Sequence, residues 1–253
     1  MIYLAFSDIH GCMDALYKGL KESGYDASNP NHHLLFLGDA FDKNLEDYKT
    51  YLFLKENLSN GRLTWILGNH DIYLLNCLEK KEYNQFSRTT IHNLAIGIDP
   101  NTEDEIETLL NAGVKELLLQ GLYYFETPHY VFTHGVIPFD KKNYRYDPSW
   151  RDAPKSSWIL FQNSNGMKFA LDGIKVPGKT LVVGHIGSYY GNLALRHPEL
   201  VRDSEEFQKL GNKIKRSAKK YADYFEIFRG DGIIGIDCRC FDTGIAHVLV
   251  VED

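Results

Sequence analysis

Apolar residues along this chain gather into five short runs, and each run ends beside residues able to bind a metal. They read YLAFS before Asp8-Ile9-His10-Gly11, HLLFLG before Asp39, LTWILG before Asn69-His70-Asp71, YVFT before His134-Gly135, and TLVVG before His185. Runs of this length with no polar alternation predict strands buried on both faces. Between them the spacing lengthens to that of a helix. Met13, Leu16, Tyr17 and Leu20 share one face up to Ser23 and Gly24, and a second helix is expected over Leu45–Leu58, before Asn60-Gly61. Strands Leu34–Leu37 and Leu63–Leu67 and a helix from Asn69 toward Lys81 complete a strand–helix alternation. That order implies a mostly parallel sheet covered by helices.

Ligands in open α/β sheets bind outside the carboxyl ends of the strands. The five runs would therefore deliver carboxylates, imidazoles and an amide to one sheet edge. The rest of the chain is patterned differently. Residues 82–126 carry a polar stretch and the helical run Ile106–Leu119, which predicts a helical insertion. Residues 138–177 are rich in proline, tyrosine and polar residues and predict a loop-rich rim over the site. Ser204–Tyr224 reads as a charged, solvated helix, and the tail (GIIGID, then GIAHVLVVE) as a closing β-hairpin.

Composition adds limits rather than direction. At 253 residues the chain is expected to form one domain, 1–253, and its 43% hydrophobic and 25% charged content is ordinary for a soluble protein. A net charge of −6 argues against broad attraction to nucleic acid or anionic lipid, and no apolar run could span a bilayer. The expected partners thus exclude nucleic acid and membrane. The N-terminus enters a strand without a secretory pattern, and Cys12, Cys77, Cys238 and Cys240 show no disulfide framework, so a cytoplasmic location is expected. Cys238 and Cys240 read as buried or edge cysteines, not as a metal pair.

The strand ends supply mixed oxygen and nitrogen ligands, which suit a pair of divalent cations. Asp8 and His10, alternating along an extended chain, would chelate one ion; Asp39 could bridge two; Asn69, His134 and His185 would complete the second shell. Two metals about 3.5–4 Å apart can polarise a phosphoryl group and turn a water into hydroxide near neutral pH. His70 is spare to that count and is the natural proton donor for the leaving oxygen, with Asp42 to hold its tautomer. The remaining histidines, His32, His33, His92, His129, His197 and His247, read as surface or core residues, Asp71 as a helix cap, and the sixteen tyrosines as packing.

In this the sequence resembles the calcineurin-like metallophosphoesterase superfamily, in the branch of serine/threonine phosphoprotein phosphatases and symmetrical dinucleoside tetraphosphatases. The matching blocks are Asp8-Ile9-His10-Gly11, Gly38-Asp39-Ala40-Phe41-Asp42-Lys43, Gly68-Asn69-His70-Asp71, His134-Gly135 and Gly184-His185, in the family's order. The resemblance implies a four-layer α/β sandwich of two mixed sheets flanked by helices. It also implies two divalent metal ions, Mn²⁺ first and Fe or Zn as alternatives. Two departures concern the substrate clamp. Lys43-Asn44 stands where the family has arginine and glycine, and lysine offers a point charge in place of a bidentate fork. A second phosphate-binding arginine is expected between the last two histidine blocks; Arg151 is the candidate, with Arg145 beside it, while Gln162 stands ahead of Asn165-Gly166-Met167 where a related group carries arginine.

The function expected is hydrolysis of a phosphate monoester, of a phosphorylated protein or a small phosphate ester, by metal-bound hydroxide. His70 and Asp42 would be catalytic, and Lys43 and Arg151 would bind substrate. Symmetrical hydrolysis of a dinucleoside polyphosphate is the alternative within enzymes. A catalytically impaired metal-binding scaffold is the alternative outside them, favoured by Lys43 and opposed by an intact His70 and Asp42.

Overall fold

The computed structural model describes residues 1–253. Its first half follows the predicted alternation: β1 (Ile2–Phe6), α1 (Met13–Glu22), β2 (His32–Phe36), α2 (Asp47–Ser59), β3 (Leu63–Trp65) and α3 (Asn69–Lys80). Three helices come next, α4 (Arg88–Ile98), α5 (Glu105–Asn111) and α6 (Val114–Leu118). The helical run expected over Ile106–Leu119 is thus broken, because Gly113 adopts φ +80° and caps α6. Residues 124–126 are no part of a helical segment; they form β4 (Tyr124–Glu126), which pairs antiparallel with β5 (Tyr130–Thr133).

Beyond β5 lie α7 (Lys155–Gln162), α8 (Gly166–Leu171), β6 (Thr180–Val183), α9 (Tyr189–Arg196) and α10 (Glu205–Arg216). The expected loop-rich rim therefore contains two helices, and Trp150, Trp158, Phe161 and Met167 within it are core residues. Next come β7 (Phe228–Gly230), β8 (Ile233–Gly235), α11 (Cys240–Thr243) and β9 (Leu249–Glu252). No hairpin joins the two tail segments. β8 pairs with β6 and with β7, whereas β9 crosses to the other sheet and lies antiparallel to β1. Both segments are apolar, and apolarity alone does not choose the sheet.

The strands form two mixed sheets, ordered β3-β2-β1-β9 and β4-β5-β6-β8-β7. Alternate residues of each strand serve different layers. Leu4, Phe6, Leu34, Phe36 and Trp65 pack against the helices over the first sheet. Ala5, Leu35, Leu37, Ile66, Phe132, Val182 and Ile234 face inward and form the layer between the sheets. Val131, Leu181, Val183 and Ile233 lie under the helices of the second sheet. The result is a four-layer sandwich, and it explains why the runs lack polar alternation: both faces of each strand are covered. β1, β2 and β3 are mutually parallel, as are β5, β6 and β8, so their carboxyl ends converge on one edge of the sandwich. All four cysteines are free and buried; Cys238 follows β8 in a loop and Cys240 opens α11, so neither lies on a strand. No helix is long and apolar enough to cross a membrane.

Candidate active site

The loops after β1, β2, β5 and β6 and the first turn of α3 carry Asp8, His10, Asp39, His134, His185 and Asn69 to that edge. Ligand atoms of Asp8, His10 and Asp39 lie within 4.8 Å of one another, as do those of Asp39, His134 and His185. Asp39 belongs to both groups. Asn69 joins the second, its Oδ1 3.1 Å from His134 Nε2.

The route to this convergence differs from simple alternation. β1 ends at Phe6, and Asp8 and His10 take φ of +52° and +45°, so a coiled loop, not an extended chain, turns both inward. Asp39 (+55°), Asp42 (+71°), Lys43 (+67°) and His185 (+64°) are also left-handed. Six of the ten non-glycine residues with positive φ are thus at this edge. Such backbone persists only where surrounding contacts over-determine it. Those contacts are visible. Asp71 accepts backbone N–H groups of Gly68, Asp39 and Ala40 at 2.8, 2.9 and 2.9 Å, tying the β2 loop to the start of α3. Its cap role therefore extends to aiming Asp39. Asp8 Oδ2 accepts from His185 N at 2.9 Å, linking the two sheets. A Cβ on Gly38 would meet Gly68 N at 2.4 Å and one on Gly68 would meet Asp39 Oδ1 at 2.1 Å, so only glycine allows these loops to touch.

The donor set fits divalent cations. His10 Nδ1 lies 2.7 Å from the Phe41 carbonyl and His134 Nδ1 2.6 Å from that of Leu37. A carbonyl only accepts, so each Nδ1 carries the proton and each Nε2 keeps its lone pair. His10 Nε2 faces Asp39 Oδ2 at 3.7 Å; His134 Nε2 faces Asp39 Oδ1 at 3.5 Å and the Asn69 amide oxygen. These are acceptors gathered in a buried space. Burial pushes His10 down to about 3 and His185 to about 4 and lowers His134, so all three imidazoles are neutral and free to coordinate near pH 7. Burial, with Asp237 and Asp39 nearby, raises the Asp8 carboxyl well above the usual range. Such a cluster is suited to hold a cation.

Beside it stands a hydrogen-bonded chain. His70, its ring 5.0 Å from that of His10, binds Asp42 Oδ2 through Nδ1 at 2.5 Å. Asp42 Oδ1 accepts from the Thr90 hydroxyl, and Asp42 N donates to Asp47 at 3.3 Å. Burial is the largest single influence on His70 and lowers its pKa, but the bond to Asp42 and the charges of Asp39 and Asp42 together outweigh it, and the net shift is upward. Lys43 Nζ lies 2.7 Å from His10 Nε2, at the ligand cluster.

Arg151 is not at the site. It pairs with Glu126, opposite Val131 near the start of β5, whereas His134 follows the end of that strand. Its guanidinium holds Glu126 down at about 2, and Arg145 is paired with Asp140. Arg151→Ala is expected to leave turnover at the parental value and to cost stability. A depressed carboxyl stabilises above its ordinary pKa, near 4.5, and that contribution disappears as pH falls toward 2. Urea midpoints of parent and variant should therefore differ at pH 7 and converge toward pH 2.

Gln162 is buried and acts on the backbone: Oε1 accepts from Gly135 N and Nε2 donates to Tyr123 O, each at 2.9 Å. It thereby sets the turn that follows His134. Gln162→Leu leaves a buried N–H without a partner and should lower unfolding free energy by about 1–3 kcal/mol in urea titration.

Three residues have supporting roles that the sequence does not assign to them. Thr90 reaches Asp42 from 48 positions away in α4, and no local pattern announces that contact. Gln162 read only as a substitute for an arginine. Asp237 follows an apolar run (GIIGI) as Asp39 does, and that signal was present in the sequence. It is buried, accepts from Arg239 N at 2.6 Å, and burial raises its pKa to about 6.

The fold and this edge define a metal-dependent phosphoester hydrolase of the two-sheet sandwich class. The sequence model of calcineurin-like phosphoesterases matches residues 1–241, and the chain belongs to that family. A candidate diadenosine tetraphosphatase superposes with a TM-score of 0.52 over 100% of this chain and 94% of its own, at 16% identity. A cold-active protein tyrosine phosphatase does so with a TM-score of 0.50 over 99% of this chain and 73% of its own, at 15% identity. A protein serine/threonine phosphatase from Saccharomyces cerevisiae covers 74% of this chain and 61% of its own, at 12% identity and a TM-score of 0.48. At such identities the likeness is one of fold. No curated protein matches the sequence.

Proposed function

We propose that this phosphoesterase hydrolyses phosphate monoesters, of phosphoprotein or small-molecule origin, with two divalent cations. Asp8, His10, Asp39, Asn69, His134 and His185 would hold the ions, Mn²⁺ first and Fe or Zn as alternatives. Bound there, the ions would supply Lewis-acid polarisation of the phosphoryl group and activation of water. The chain's own residues do the rest. His70 Nδ1 is committed to Asp42, so Nε2 is the nitrogen that gives a proton to the leaving oxygen. Thr90 and Asp47 hold Asp42, and Asp42 holds His70. Lys43, with its ammonium at the ligand cluster, would balance phosphate charge without the bidentate grip of arginine.

The observation that carries this reading is the pair of ligand groups sharing Asp39 with the His70–Asp42 pair beside them. A scaffold without turnover has no use for a proton donor in that position. With added Mn²⁺, p-nitrophenyl phosphate and a phosphopeptide should both be cleaved, and diadenosine tetraphosphate more slowly. Turnover confined to the dinucleotide would overturn the monoester reading. No turnover of any of the three, with metal bound, would favour the scaffold.

A further inference from the structure

Two aromatic side chains flank His70. His70 lies against two aromatic rings, with centroids 5.6 Å away for Tyr73 and 6.2 Å for Phe86 and interplanar angles of 63° and 78°. Tyr73 and Phe86 stack on each other at 4.9 Å and 22°. One face of each ring is therefore used within the pair. Phe86 is nevertheless 48% exposed, so the stack leaves part of this residue accessible.

The pair is held in place. Tyr73 is on α3, one turn beyond His70, and its hydroxyl meets Asn163 at 3.4 Å. Phe86 sits in the turn before α4, where the Asn84 side chain accepts from the N–H groups of Phe86 and Ser87, both at 2.8 Å. Two residues beyond Arg88, the start of that helix, Thr90 binds Asp42. The turn bearing Phe86 is thus fastened to the same carboxylate that orients His70.

Resting on the phosphatase reading above, we propose that Phe86 and Tyr73 form a leaving-group subsite for an aryl phosphate monoester of the phosphotyrosine kind. A leaving oxygen within about 2.6–3.2 Å of His70 Nε2 carries its substituent into the space beside these rings. Aromatic pairs are favourable at centroid distances of about 4.5–7 Å, and a ring bonded directly to that oxygen is short enough to reach this range. An alkyl chain, as in phosphoserine, offers no π face. In the reaction water supplies the oxygen that bonds to phosphorus and the bond from phosphorus to the phenolic oxygen breaks. The electron pair leaves on that oxygen and takes the His70 proton, and a proton released by the water restores His70. The products are the phenol and inorganic phosphate.

The test uses the full chain loaded with Mn²⁺ and one peptide sequence phosphorylated on tyrosine or on serine. Aryl esters are intrinsically more reactive, so the quantity read is the change in the tyrosine-to-serine ratio of kcat/KM on substitution. Phe86→Ala and Phe86→Leu should each lower that ratio about tenfold, the size expected for one lost stacking partner, and Phe86→Trp should retain it. Calorimetric binding should show the parent preferring benzylphosphonate to methylphosphonate and Phe86→Ala losing the preference. A ratio unmoved by Phe86→Ala, or one lowered by alanine yet kept by leucine, overturns the aromatic subsite. If the parent cleaves neither peptide, the phosphatase reading fails. The binding experiment then decides the subsite alone, and equal affinity of parent and Phe86→Ala for benzylphosphonate overturns it.

Discussion

His70→Asn is expected to lower turnover by about 10²–10⁴-fold, the usual contribution of a positioned general acid, while metal content stays at the parental value. The two outcomes separate because His70 lies beside the candidate ligand groups and belongs to neither. Its Nδ1 is bound to Asp42, and its backbone N–H donates to Asp39 Oδ1 at 3.0 Å, a bond that asparagine retains. Elemental analysis of the purified variant, paired with steady-state rates, reads both quantities. The loss should be in kcat with an aryl or alkyl phosphate alike, and larger for the alkyl ester, whose leaving oxygen is the poorer anion. Parental turnover would remove His70 from the chemistry.

Asp39→Asn should have the broadest effect, since Asp39 is common to both ligand groups. The substitution keeps the shape of the side chain and removes its charge. Both ions should bind more weakly, by more than the roughly 10–100-fold that losing a supporting partner costs. Activity at limiting Mn²⁺ should fall with them. Stability offers an independent reading. Asp39 is one of the carboxylates that raise the Asp8 carboxyl, whereas the imidazoles of His134 and His10 hold its own carboxyl below the usual range, so in the metal-free chain the two effects of neutralising it oppose each other. With Mn²⁺ added, the parent should gain melting temperature over its chelated form and the variant should not. A variant that still gains stability from Mn²⁺ to the parental extent would place the ions elsewhere.

Much of the fold was legible because each central strand is apolar on both faces. Leu34–Leu37 and Leu63–Leu67 announced β2 and β3 to within a residue or two, and the period of Met13, Leu16 and Leu20 announced α1. The tail was misread for the same reason that the centre was read well. GIIGID and HVLVVE are apolar enough to be strands anywhere, and only long-range pairing sends β8 to one sheet and β9 to the other. Likewise Arg151 is the candidate clamp by its place between the last two histidine blocks, yet Trp150 is buried under the second sheet and Arg151 pairs with Glu126.

The candidate site divides along the same line. Which side chains are candidates for the chemistry is legible in the sequence, because a metal ligand or proton donor needs a particular functional group and the strand ends supply them in a recognisable local context. Asp8, His10, Asp39, Asn69, His134 and His185 were all nameable from their blocks. How they meet was decided by tertiary structure. Left-handed backbone at Asp8, His10, Asp39 and His185, Asp71 gripping three N–H groups, Thr90 behind Asp42 and Phe86 beside His70 depend on contacts between residues far apart in the chain. The physical reason is that ligand identity is a property of one residue, whereas orientation is the sum of packing and hydrogen bonds from every element that reaches it.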